Sequence, residues 1–177
     1  MRTAWLTSLV IGLCFATACS SNSNSSNSSS NKPSAGINGI IDNYLVIKNA
    51  LADDKADSAA AGGQTMIAAI GKVDTTQLSP EQKALFGKEK ETLEQKADQI
   101  TRSADKIAQQ RELFSGMSQQ LYHLVKGLGT TKTLYQDHCP MYNNNKGASW
   151  LSETEDIKNP YLGQSMPDCG TVEEQIK

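Results

Sequence analysis

The sequence predicts a mainly α protein, an antiparallel four-helix bundle with a small irregular or β C-terminal tail packed on it. Three observations carry this expectation. Apolar residues recur at three- and four-residue intervals from Ile37 to Val125, the period of helices with one buried face. Ser79-Pro80-Glu81-Gln82 is a helix-start signal, with Ser at the cap, Pro at the first helical position and Gln three residues after the cap. After Gly129 the helical period gives way to turn residues and a pair of cysteines. Short turns between successive helices imply antiparallel neighbours.

The N-terminus is read separately from the fold. Residues 1–18 have the pattern of a secretion signal: Arg2, an apolar run from Ala4 to Phe15, and small residues Ala16-Thr17-Ala18 ahead of Cys19. Small residues directly before a cysteine resemble the bacterial lipobox. That likeness implies a diacylglycerol on Cys19, whereas cleavage as an ordinary signal after Ala18 would leave the chain exported and soluble. Residues 19–36 follow as a lipidated cysteine and a Ser/Asn-rich tether; positions 20–30 are all Ser or Asn and hold no apolar side chain to offset ordering entropy. The expected location is the bacterial cell envelope, as an outer-membrane lipoprotein facing the periplasm.

The folded part is expected at 37–177, with the bundle at 37–129 and the tail at 130–177. In the first helix Ile37, Ile40, Ile41, Tyr44, Ile47 and Leu51 share a face, and Asp53-Asp54 ends it. The second, about 55–72, combines Ala56, Ala59, Ala60 and Gly63 with Ile67 and Ile70. Gly62-Gly63 weakens it by about 1 kcal/mol per glycine, so close packing must compensate. The third starts at Ser79 and keeps a loose helical period through Leu85, Phe86, Leu93, Ala97, Ile100 and Ala104, with a break near Ser103. The fourth, about 104–126, turns Ile107, Arg111, Phe114, Met117, Leu121, Leu124 and Val125 inward and ends at Gly127 and Gly129. Arg111 on that apolar face predicts a structural partner, an acid or tail carbonyls. In the tail, 131–138 reads as a short strand and 171–176 as a closing strand or turn.

Composition narrows the function. There are 17 Lys+Arg and 19 Asp+Glu, a formal charge of −2, and the basic residues are interleaved with acids, so no nucleic-acid footprint is present. No glycine-rich phosphate loop, Gly-x-Ser-x-Gly elbow or His-Glu-x-x-His motif occurs, and catalysis is not expected.

The chemistry concentrates in Asp137-His138-Cys139-Pro140-Met141 and Met166-Pro167-Asp168-Cys169-Gly170. Thiolate and thioether are soft donors suited to Cu(I), whereas Zn(II) favours Cys with His, and Ca(II) or Mg(II) require oxygen. Cys139, Met141, Met166 and Cys169 therefore form a candidate Cu(I) or Ag(I) site, with His138 as a further donor. Two other readings stand beside it. Cys139 and Cys169 could join in a disulfide stapling a helical interaction module without metal, worth about 2 to 4 kcal/mol. The methionines could simply fill the core.

The chain also resembles the DUF3347 domain family. The residues that carry the likeness are Gln110-Arg111 with Phe114, Leu134-Tyr135, Cys139-Pro140-Met141, Gly147-Ala148-Ser149-Trp150-Leu151, Asn159-Pro160-Tyr161, Gly163, Met166 and Cys169-Gly170. This family occurs in exported bacterial proteins and on periplasmic adaptor subunits of heavy-metal efflux pumps. The resemblance implies metal binding or presentation, with efflux components as partners.

Overall fold

The computed structural model describes residues 35–177. The signal segment, Cys19 and the tether up to residue 34 lie outside the described residues. A 3-10 turn at Ala35–Ile37 leads into four helices: α1 (Asn38–Ala52), α2 (Ala56–Gly71), α3 (Pro80–Arg102) and α4 (Ile107–Leu128). Each packs against the next in sequence, and α4 returns to α1, closing the antiparallel bundle.

The local signals explain where the helices begin and end. Asp54 takes a left-handed backbone conformation, φ 60°, where α1 cannot continue. At α3 the Ser79 hydroxyl accepts the Gln82 N–H at 3.2 Å while the Gln82 side chain accepts the Ser79 N–H at 3.1 Å, a reciprocal cap. Helix α4 starts at Ile107 rather than near Ala104. The intervening residues close a turn instead, with the Lys106 N–H bonded to the Ser103 carbonyl at 2.9 Å. Gly129, at φ 79°, ends α4 with its N–H on the Val125 carbonyl at 2.9 Å.

The paired glycines of α2 face different neighbours. A Cβ on Gly62 would stand 2.8 Å from Cγ1 of Ile47 in α1, and one on Gly63 would stand 2.7 Å from the Ala97 carbonyl and Thr101 Oγ1 in α3. Their missing side chains let α2 wedge between both helices, the packing that compensates for weak helix propensity. The buried face of α2 carries Met66, with Ile67 only partly covered; Met66 belongs to the stripe that includes Ala59, Gly63 and Ile70.

The tail is more regular than the sequence predicts. Strands β1 (Leu134–Cys139), β2 (Ala148–Ser152) and β3 (Thr171–Ile176) form an antiparallel sheet in the order β2-β1-β3. Strand β2, packed on α4, has no signature in the sequence: Ala148, Trp150, Leu151 and Ser152 are all buried, so the alternation that marks a half-exposed strand is missing. Asn143, Asn144 and Asn145 turn the chain from β1 to β2 through left-handed conformations, which asparagine tolerates better than most residues.

Polar and aromatic contacts fasten the tail to the bundle. The Leu151 N–H donates to the Tyr44 hydroxyl at 3.0 Å, and that hydroxyl lies 2.7 Å from Ser118 Oγ. Tyr44 stacks on Phe114 and Tyr142 on Tyr161, with ring centroids 4.8 and 4.5 Å apart; Phe114 and Tyr161, at 6.0 Å, join the two pairs. Arg111 meets the expectation of a structural partner. It donates to the Pro160 carbonyl at 3.0 Å and the Leu51 carbonyl at 2.9 Å, and it pairs with Asp54.

Two substitutions test the α2 packing account. Gly63→Ala should destabilise by about 1 to 3 kcal/mol because backbone and a short side chain oppose the new methyl. Gly87→Ala, with nothing within 4 Å of its Cβ position in α3, should stabilise by about 0.5 to 1 kcal/mol. Urea unfolding of both variants should give opposite signs; equal effects would contradict the wedge.

Candidate functional site

The site is built where β1 ends and β3 begins. Antiparallel pairing sets His138 opposite Thr171, so Cys139 and Cys169 meet just beyond the paired residues. Their Sγ atoms are 3.0 Å apart although thirty positions separate them in the chain. Both are free thiols, Cys139 buried and Cys169 partly exposed.

The immediate surroundings treat the two sulfurs differently. Burial pushes the Cys139 thiol up, but the Cys169 thiol, the Met141 N–H, the Asn159 amide and the Tyr142 N–H are directed at it and together hold it below its ordinary range. Pro140, with a fixed φ, starts the turn that aims the two backbone N–H groups back at the sulfur. Cys169 moves the other way. Its hydrogen bond to Cys139, its burial and the charge on Cys139 all raise its pKa, against the Met141 N–H, which lowers it. Of the two sulfurs, Cys139 is the one that gives up its proton more readily.

Asn159 holds the loop that presents Cys169. Its buried amide donates to the Cys169 carbonyl at 2.6 Å, and its side-chain oxygen accepts the N–H groups of Tyr161 at 2.8 Å and Leu162 at 3.0 Å. An Asn-Pro pair signals only a turn, and nothing local in the sequence reveals this long-range clasp.

The methionines divide into two kinds. Met66 and Met117 are fully buried and fill the core. Met141 and Met166 are 49% and 38% exposed, among the few large apolar side chains left in water. Met141 adjoins the pair through its backbone N–H, and the Met166 carbonyl accepts the Cys169 N–H at 3.3 Å. Core filling therefore does not describe Met141 or Met166.

The two histidines lie away from the sulfurs. Side chains alternate along a strand, so His138 takes the face opposite Cys139, where its Nδ1 lies 3.0 Å from Ser149 Oγ. The structure does not bring its ring to the thiols. His123 on α4 is half exposed, 3.8 Å from the buried Glu89 carboxylate, and helps line a cavity of about 360 Å³ between α4 and the sheet. Among the described residues no three His, Cys, Asp or Glu side chains form a metal-holding group.

Asp137, two residues before Cys139, is a feature that sequence reasoning missed. It is wholly buried, and neither carboxylate oxygen has a hydrogen-bond partner. Burial raises its pKa to about 7, the Lys48 charge pulls it down, Glu153 pushes it up, and the Trp150 indole pulls it down without completing a hydrogen bond. Lys48 is itself fully buried, 2.9 Å from Glu153 Oε2.

Fold and site together define an α-helical bundle carrying a small antiparallel sheet, with a dithiol at the end of its central strand. A comparison with family models matches residues 40–133 to the family described as "Protein of unknown function (DUF3347)", and the chain belongs to that family. The match spans the bundle from α1 to the loop before β1 and ends ahead of both cysteines, short of the 37–177 extent of the resemblance. No curated protein and no solved structure matches the chain.

Asp137 gives a pH prediction. Its folded pKa of about 7 stands above an unfolded value of about 3.9. The stability it contributes is fully present below about pH 4 and is lost as pH rises through 7. Asp137→Asn should therefore be more stable than wild type at pH 8, by about 1 to 3 kcal/mol, and lose that advantage towards pH 4. Denaturant unfolding at the two pH values checks this; a constant difference would contradict it.

Proposed function

We propose that this chain is an exported lipoprotein, anchored through Cys19, that binds a soft monovalent ion, Cu(I) or Ag(I), for periplasmic buffering or handover to efflux machinery. Cys139 and Cys169 would supply the principal donors, and Met141 and Met166 the thioether donors. The observation that carries this reading is the contact of two distant thiols, 3.0 Å apart, between chain segments that also hold the exposed thioethers. Soft sulfur donors select monovalent copper or silver over hard cations. The donors aimed at the Cys139 sulfur lower its pKa, which favours the deprotonated form that a metal takes. His138 is left out of the donor set because its ring takes the other strand face. The role is binding rather than catalysis.

The same contact favours a second reading, in which Cys139 and Cys169 close a disulfide that staples a metal-free interaction module. Such a crosslink would add about 2 to 4 kcal/mol. The readings separate under reducing, oxygen-free conditions with a coloured Cu(I) chelator as competitor. Reduced wild type should withdraw Cu(I) from the chelator, and Cys139→Ser/Cys169→Ser should not. Met141→Leu/Met166→Leu should keep its melting temperature and bind roughly tenfold or more weakly. No withdrawal by reduced wild type, or unchanged withdrawal by the double serine variant, would remove the metal reading.

A further inference from the structure

The two sulfurs differ in a way that neither a metal site nor a permanent staple requires. Cys139 is wholly buried at the end of β1, under the clasp made by Asn159. Cys169 lies in the loop before β3, where solvent reaches it. The chain around Cys169 is closely held. A Cβ on Gly170, at φ 149°, would stand 2.9 Å from the Trp150 ring and 3.0 Å from the His138 carbonyl, so only glycine lets this segment lie so near β1. The accessible sulfur is thus fixed at 3.0 Å from the buried one. Thiol–disulfide exchange needs this pairing: one sulfur that a partner can approach, and a second close enough to displace the partner afterwards.

We propose that Cys139 and Cys169 form an exchangeable dithiol–disulfide couple, in which Cys169 meets the external partner and Cys139 resolves the mixed disulfide. The oxidant is a disulfide carried by a small thiol or a thiol-oxidising protein. The Cys169 thiol gives its proton to the Cys139 sulfur 3.0 Å away and attacks one sulfur of that disulfide as a thiolate; the partner's S–S bond breaks, and one partner thiolate leaves and takes up a proton from water. The Cys139 sulfur then attacks Cys169 Sγ, the mixed S–S bond breaks, and the second partner thiolate leaves with the Cys139 proton. Counted from the dithiol, with the Cys139 proton first released to water, the protein loses two electrons and two protons, and the partner disulfide becomes two thiols. An external dithiol drives the same steps in reverse. This inference rests on the geometry of the pair and not on metal binding, although a closed disulfide would leave no thiolate for a soft ion.

The test uses the full chain, reduced and metal-free, with oxidised glutathione as the probe and acid quenching before peptide mapping, which resolves Cys14 and Cys19 from the pair. Wild type should form the Cys139–Cys169 disulfide without a lasting glutathione adduct. Cys139→Ser should accumulate the adduct on Cys169, and Cys169→Ser should form one on Cys139 roughly tenfold or more slowly. Limiting alkylation of reduced wild type supplies a measurement independent of variant folding, and Cys169 should be labelled first by a similar factor. Equal labelling of the two, a lasting adduct on wild type, or no oxidation by glutathione would overturn the proposal. Copper is absent throughout, so failure here leaves the metal reading to its own titration.

Discussion

The position of the sulfur pair depends on Asn159. This one buried residue bonds the carbonyl of Cys169, the N–H groups of Tyr161 and Leu162, and, through its own backbone N–H, the Pro167 carbonyl at 2.8 Å. Cys169 belongs to no strand or helix, so regular backbone pairing does not fix it. A loop held only at its ends would sample many positions, and two thiols would meet rarely. The clasp removes that freedom and also places an amide beside the Cys139 sulfur.

The bundle is the platform on which that clasp is anchored. Arg111 reaches from α4 to the Pro160 carbonyl, the residue next to Asn159, and at the same time ties the end of α1 through Leu51 and Asp54. The aromatic column from Tyr44 through Phe114 and Tyr161 to Tyr142 then connects the core to the turn that follows Cys139. Aromatic packing and a multiply bonded guanidinium are directional contacts, so they specify a position as well as adding stability. The family match covers the platform, while the sulfur chemistry lies in the tail beyond it.

The helices were legible because their signals are local. Apolar spacing marks α1 to α4, and the Ser79 cap with Gln82 marks the start of α3 nearly to the residue. The end of α1 at Asp53-Asp54 was equally readable, since an aspartate can adopt the left-handed turn that stops a helix. Strand β2 was not readable: both of its faces are covered, so Ala148 to Ser152 show no period of two. At the site, the residue types of Cys139, Met141, Met166 and Cys169 were visible, but their arrangement was not. What unites the thiols is the pairing of β1 with β3 and the Asn159 bonds, both set by contacts between distant segments. Met66 against Met141 makes the same point, since only burial separates a core methionine from an exposed one. The burial of Asp137 was not readable either, because a strand aspartate reads as solvated until its neighbours cover it.

In the proposed site, distant sulfurs converge on one soft ion. X-ray absorption at the copper edge, on reduced chain loaded with one equivalent of Cu(I), measures the atoms around that ion directly. A first shell of sulfur alone is the predicted result. A shell of nitrogen or oxygen, or copper that washes away on desalting, would contradict it.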